Sequence, residues 1–297
     1  MSFATDYLAQ IETLAARMPL PRVRALHLPP SRPDEPCRDG NSGHARGEFC
    51  ALELEDGSIG LSYVLLDDTL ERLRSGPGLD DLKGADALAL ARRYVSGQGV
   101  DRTLGFVCAN AITRCLFDRA GYRPDGSSDS IGQMDPQPGD AIGMIGLFGP
   151  LVERIVAAGA RLTVIELDES AVGEHEGWRV TTDAAALETC GKVLSTSTLL
   201  LNDTLDRMLA HCRAARWFAM VGPSAGCLPD ALFARGVTLL GGSWVEDREA
   251  FIDGLTSGDK DNRKGRKSTS KFAQTKEGWP GFEVLLERVV GCEGGGR

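Results

Sequence analysis

The chain has 297 residues, of which 42% are hydrophobic and 25% charged. That balance supplies a sizeable core and excludes a chain disordered throughout. Thirty-three basic against 42 acidic residues leave a net charge of −9, which excludes a whole-surface field for nucleic acid and predicts no nucleic-acid partner.

Residues 1–18 place Phe3, Tyr7, Leu8, Ile11, Leu14 and Met18 at helical spacing, with Asp6 and Glu12 among them. This is an amphipathic helix rather than a signal peptide, which wants a basic start and an unbroken apolar segment. A strand is expected over 23–28, followed by a Pro-, Asp- and Gly-rich loop over 29–46. Strands over 49–54 and 59–65 flank Asp56-Gly57, a dipeptide suited to a tight hairpin turn. Helices are expected over 68–74, 85–96 and 103–120. Residues 1–121 thus read as strands followed by helices, an α+β domain. The Pro- and Gly-containing stretch 122–138 reads as a linker.

From 139 to 297 the pattern becomes α/β. Apolar runs at 141–147, 161–167, 192–195, 217–221 and 237–240 alternate with helical stretches at 150–158, 199–212 and 230–235. Such alternation implies a Rossmann-like parallel sheet with both faces covered. Residues 257–278 interrupt it. They carry Lys260, Arg263, Lys264, Arg266, Lys267, Lys271 and Lys276 with few apolar side chains, and read as a solvated basic insert or a lid over an anion. Residues 282–290 resume as an apolar helix or strand.

The longest uncharged apolar stretch near the middle of the chain, 141–152, is shorter than the roughly 20 residues of a spanning helix. No membrane span and a cytoplasmic location are therefore expected. A homo-oligomer is compatible with this composition. Cys37, Cys50, Cys108, Cys115, Cys190, Cys212, Cys227 and Cys292 are scattered without a CxxC and are expected to be free thiols.

The most informative segment is 139–150, where Gly143, Gly146 and Gly149 follow a strand and Pro150 opens a helix. Glycine lets backbone approach a ligand, and a helix N-terminus favours an anion. Glu166 stands 20 residues beyond Gly146 at the next strand end, the place of an acid that binds a ribose diol. The spacing GxxGxxG departs from the dinucleotide fingerprint GxGxxG, and Phe148 would crowd a pyrophosphate. Thr198 and Asn202 follow the third strand and Ser224 the fourth. Their hydroxyl and amide groups suit a polar ligand, and helix capping is the simpler account.

Metal ligands are less well marked. Cys37, His44 and Cys50 gather near Asp34 and His27, which are suitable atoms for zinc or a softer metal at no recognised spacing. Two unrelated thiols and a loop histidine are the simpler account. Cys108 and Cys115, seven apart, share a helix face and read as core. Cys227 is the thiol nearest the expected cleft. His211 at a helix end and His175 in an acidic turn read as structural or exposed.

Three stretches carry a family resemblance: Gly-Asp-x-x-Gly-Met-Ile-Gly at 139–146, Thr-x-Thr-Leu-Leu-Leu-Asn-Asp-Thr-Leu at 196–205, and Val-Gly-Pro-Ser at 221–224 with Pro229 and Gly241-Gly242. They resemble the heavy-metal chelation family, a Rossmann-like domain often preceded by a smaller one similar to the enolase N-terminal domain. Residues 1–121 resemble that smaller domain, with Asn110 in Ala109-Asn110-Ala111 matching its last helix. The resemblance implies a metal-binding or ligand-binding accessory protein in heavy-metal or metallophore handling. The expected site is an interdomain cleft floored by Gly143, Gly146, Phe148 and Gly149 and anchored by Glu166. Thr198, Asn202 and Ser224 would add hydrogen bonds, and Asn110 would approach from the smaller domain. The cofactor is a transition metal on this reading. The alternative is a transferase or lyase with a nucleoside cofactor such as S-adenosylmethionine.

Overall fold

Ser2 opens α1 (Phe3–Arg17) by accepting the Thr5 N–H on its hydroxyl at 3.3 Å, as a short polar N-cap residue does. This structure, a computed structural model, describes residues 2–30, 49–64, 66–75, 82–127, 133–257 and 268–294, with side chains to 291. The α1 face bearing Phe3, Tyr7, Ile11 and Leu14 is buried. Three antiparallel strands follow in the order β1 (Val23–His27), β2 (Phe49–Leu54) and β3 (Ile59–Tyr63). Gly57, at φ +90°, closes the β2–β3 hairpin in a conformation that costs glycine little. Then come α2 (Thr69–Ser75), α3 (Ala87–Ser96) and α4 (Val100–Arg119). This is the strand-then-helix order expected of the first part.

Helix α4 has no polar face along most of its length and is buried from Thr103 to Thr113. A helix apolar all round must be covered on all sides, and α4 lies at the centre of the molecule. Close approach is built into its neighbours. A Cβ on Gly60 of β3 would stand 2.2 Å from the Val107 carbonyl oxygen and 2.3 Å from the Ala111 nitrogen. Strand and helix therefore meet backbone to backbone.

The second sheet has eight strands. In chain order its elements are β4 (Ala141–Ile145), α5 (Gly149–Ala157), β5 (Arg161–Ile165), β6 (Gly173–His175), β7 (Trp178–Thr181), β8 (Lys192–Thr196), α6 (Leu205–His211), β9 (Trp217–Val221), α7 (Asp230–Phe233), β10 (Leu239–Val245), α8 (Arg248–Thr256), β11 (Thr269–Thr275) and α9 (Phe282–Gly294). The spatial order is β11-β10-β9-β8-β4-β5-β7-β6. The six inner strands are parallel, and the end strands β11 and β6 run antiparallel to their neighbours. The chain leaves β4 toward β5 and returns to its other side at β8, so the order switches between β4 and β8, as in doubly wound sheets.

One apolar cluster runs from Phe3 and Tyr7 through Leu116 to Met220, Leu240 and Leu286, joining both sheets. A second packs α5 onto the opposite face of the large sheet through Met144, Ile155, Leu162 and Val164. Among the described residues, no helix is long and apolar enough to cross a membrane.

Several expectations need correction. The single helix over 199–212 is two elements. A 3₁₀ turn, Ser197–Leu200, ends where Asn202 accepts from the Thr204 N–H and hydroxyl and Asp203 turns to φ +57°, and α6 begins beyond. A short polar side chain bonding its own backbone competes with the helix there. The strand expected to stop at 240 continues through Gly241 and Gly242 to Val245, because Gly242 leaves room for the Phe272 ring. Part of the stretch read as a basic insert is the regular strand β11, paired along its length with β10. Its buried run Phe272, Ala273 and Gln274 was hidden by the surrounding charge. Residues 258–267 of that insert lie outside the described residues. The hairpin β6–β7 and helix α8 were not foreseen. Residues 282–290 are helical.

The Gly60 contact yields a sharp test. Gly60→Ala is expected to cost about 3 kcal/mol in urea unfolding, since backbone atoms of α4 cannot yield without opening the sheet–helix interface. Gly149→Ala, whose new Cβ meets nothing within 4 Å, is expected to stay within about 0.5 kcal/mol.

Candidate functional site

The residues singled out in the sequence fall into two groups with different partners. The first surrounds the β4–α5 turn. Gly146 sits there at φ +82°, donating its N–H to the Ile165 carbonyl at 2.9 Å. A Cβ on it would stand 3.1 Å from Thr196 Cγ2, so glycine is required for both conformation and packing. The half-buried Glu166 carboxylate accepts the Leu147 N–H, and the Phe148 N–H points to Met144 Sδ at 3.3 Å. The turn amides that would hold an anion are therefore engaged within the protein. Glu166 staples the turn, in place of the free acid expected for a ribose.

Burial pushes the Glu166 carboxyl above its ordinary value, opposed by hydrogen bonds from the Leu147 and Leu167 amides and assisted by the nearby Asp168 charge. Thr198 joins the same neighbourhood through Thr196, their hydroxyl oxygens 2.8 Å apart. Gly149 is the first residue of α5. Gly143 is not in the turn. It lies within β4, where a Cβ would meet Leu187 at 2.6 Å, so its role is to admit Leu187 and Cys190 against the sheet. Asn202 is spent on its turn with Thr204.

The second group joins the two sheets. Asn110 is 1% exposed and Ser224 fully buried. The Asn110 amide donates to the Leu61 carbonyl at 2.9 Å and the Ser224 carbonyl at 3.4 Å, and its oxygen accepts from the Tyr7 hydroxyl at 3.0 Å. Ser224 Oγ accepts the Tyr63 N–H at 2.9 Å. Both side chains bridge β3, α4 and the turn after β9. They do so from inside the junction, where the sequence suggested an open cleft.

Beside this junction lies a narrow groove lined by Gly60, Asn110, Arg114, Pro223, Ser243 and Phe272, among others. It holds about 30 Å³, room for one water molecule or a small head group. Arg114 dominates its chemistry. The guanidinium stacks over the Trp244 ring at 3.7 Å. Its Nε donates to the Asp118 carboxylate, and its two terminal nitrogens donate to the Val245 carbonyl at 3.2 Å each. Of the five N–H donors of an arginine, two remain without a partner among the described residues. Arg114, Ser243, Trp244 and Phe272 were missed in the sequence. Arg114 was within reach, since it follows Asn110 by one helical turn and shares its face.

Among the described residues, the donor atoms do not fit a metal ion held by the protein: no three His, Cys, Asp or Glu side chains gather as metal ligands. Cys50, Cys108, Cys115, Cys190, Cys212 and Cys227 are all buried. Burial pushes the thiols of Cys50, Cys212 and Cys227 up to about 12, which keeps them protonated and inert. Cys37 and His44 lie outside the described residues, as does the Cys292 side chain. His211 Nδ1 lies 2.9 Å from a Glu188 oxygen, and His175 stacks on Trp178 at 4.0 Å.

Glu166 also sets a pH dependence. Its raised value means that the folded state binds this proton more tightly than the unfolded chain. The stability it contributes is complete below the unfolded carboxylate value near ~4.3 and is lost as pH rises through the folded value. Glu166→Gln keeps the acceptor and removes the titration. Thermal unfolding is expected to show the variant gaining on the parent as pH rises above the unfolded carboxylate value near ~4.3.

No curated protein matches this chain. Solved structures do, and two of them are each described as a protein with unknown function from the DUF364 family. That from Pyrococcus horikoshii is 17% identical, with 92% of this chain and 100% of that one covered and a TM-score of 0.64. That from Desulfitobacterium hafniense DCB-2 is 18% identical, with the same coverage and a TM-score of 0.65. At such identities they show the fold alone. The sequence profile of the same family matches residues 129–273, the stretch that carries β4 to β11 up to Ala273. Over these residues the chain matches the model of the DUF364 family, whose description reads "Putative heavy-metal chelation".

Proposed function

We propose that this chain is a ligand-binding accessory protein of heavy-metal or metallophore handling. It takes an anionic, oxygen-rich chelator at the groove between α4 and β10. The observation that carries this reading is Arg114, whose remaining donors line the groove beside Asn110 and the exposed Ser243. A guanidinium with free N–H groups matches a carboxylate. The groove admits a single head group, so the body of the ligand would lie outside, across Phe272 and Ser243. The family description supports a link to metal. The buried thiols support a chelated metal as cargo over a bare ion bound by protein donors. Locating the protein in the cytoplasm is part of the same proposal.

Citrate, with and without iron(III), is the probe, titrated into the full chain by calorimetry. Saturable binding is expected, weakened about tenfold in Arg114→Gln and also in Ser243→Leu, which blocks the mouth without touching the Asn110 junction. Absence of saturable binding, or binding that both variants leave intact, overturns the reading.

A further inference from the structure

At the β6 end of the large sheet, far along the strand order from β10 and β11, lies a wider concavity of about 490 Å³. Volumes of this order are those of small-molecule sites. Its floor follows from strand register. Glu174 of β6 stands opposite Arg179 of β7, which stands opposite Thr163 of β5, which stands opposite Gly143 of β4. Side chains two apart on a strand share a face, so Arg161 projects on the same side as Thr163. Arg161 faces Ala141 on β4. On β4, Ala141 contributes only a methyl group, while Leu187 and Cys190 fill the space over Gly143, and the two arginines border the hollow that remains.

Several other arginines of this acidic chain meet carboxylates. Arg235 pairs with Asp6 and Asp206, Arg248 with Glu53, and Arg123 with Glu246. Arg161 and Arg179 do not, among the described residues. Arg179 Nε has the Thr163 hydroxyl at 3.4 Å. Glu174 also lines the concavity, without reaching ion-pair distance of either. Like charges on neighbouring strands repel, and a bound anion would relieve that repulsion. The field of Arg179 is felt at the buried Cys190, whose thiol it lowers against the larger upward effect of burial.

We propose that this concavity binds a phosphorylated small molecule, with the phosphoryl group between Arg161 and Arg179 and within reach of Thr163. Guanidinium forks and a hydroxyl supply donors for several phosphoryl oxygens. The volume exceeds that of free phosphate, which assigns the site to a phosphomonoester. The proposal is independent of the Arg114 groove, which shares no lining residue with it.

The test titrates the full chain with inorganic phosphate and with ribose 5-phosphate, at ionic strength held constant with chloride. Saturable binding is expected for both, tighter for the ester. Arg161→Gln and Arg179→Gln are each expected to weaken it about tenfold, with the thermal midpoint in chloride unchanged because both side chains are exposed. Arg179→Lys is expected to fall between, since it keeps charge and loses the fork. No saturable binding of either probe, or binding unaltered in both glutamine variants, overturns the site. Phosphate binding as tight as that of the ester overturns the phosphomonoester assignment.

Discussion

The buried hydrogen-bond junction at Asn110 is the constraint on which the rest of the molecule depends. Its amide and oxygen satisfy groups on β3, on the turn after β9 and on α1 at once. Tyr7 also meets the Thr113 hydroxyl at 2.7 Å. A buried polar network stabilises only when every member is paired, so these contacts fix the small sheet, α4 and the large sheet in one arrangement. The ties around it act in the same sense. The Tyr94 hydroxyl donates to the Leu200 carbonyl at 2.5 Å, Arg102 Nε donates to Leu201 at 2.8 Å, and Arg248 reaches the buried Glu53 at 2.5 Å.

That arrangement decides what the carboxyl ends of the strands can do. The β4–α5 turn is closed by its own acid, and the turn after β9 is drawn inward to meet β3. Space for a ligand is left at the margin of the junction, beside Arg114, and toward the amino ends of β5 and β7, beside Arg161 and Arg179. The carboxyl-edge rule for open α/β sheets is thus modified here by a second layer that occupies part of the edge.

Much of the fold was legible in the residues because the relevant signals are local. Asp56-Gly57 between alternating runs marks a hairpin, and short apolar runs separated by helices mark a parallel sheet. The misses share a cause. Strand β11 carries Lys271 beside Phe272 because it lies at the edge of the sheet. Helix 199–212 was broken by side chain–backbone bonds at Asn202, which periodicity does not weigh. The candidate site was legible only in its parts. Asn110, Ser224, Gly146 and Glu166 were identified as special positions, and each has a specific structural role. For Asn110 and Ser224 the decisive contacts join residues more than 100 apart, as these two are from each other, which no local pattern encodes.

The two borders of the large sheet are blunted. On one side β6 has three residues before the chain turns away. On the other, β11 is covered by the segment around Gly126, which bridges to Phe272, while the Ser127 N–H bonds Lys271 and the Asp125 carbonyl receives the Ala273 N–H. Unpaired strand borders invite joining between molecules, and here neither offers a long free ladder. Among the described residues, the large sheet therefore offers little backbone by which one copy could extend into the next.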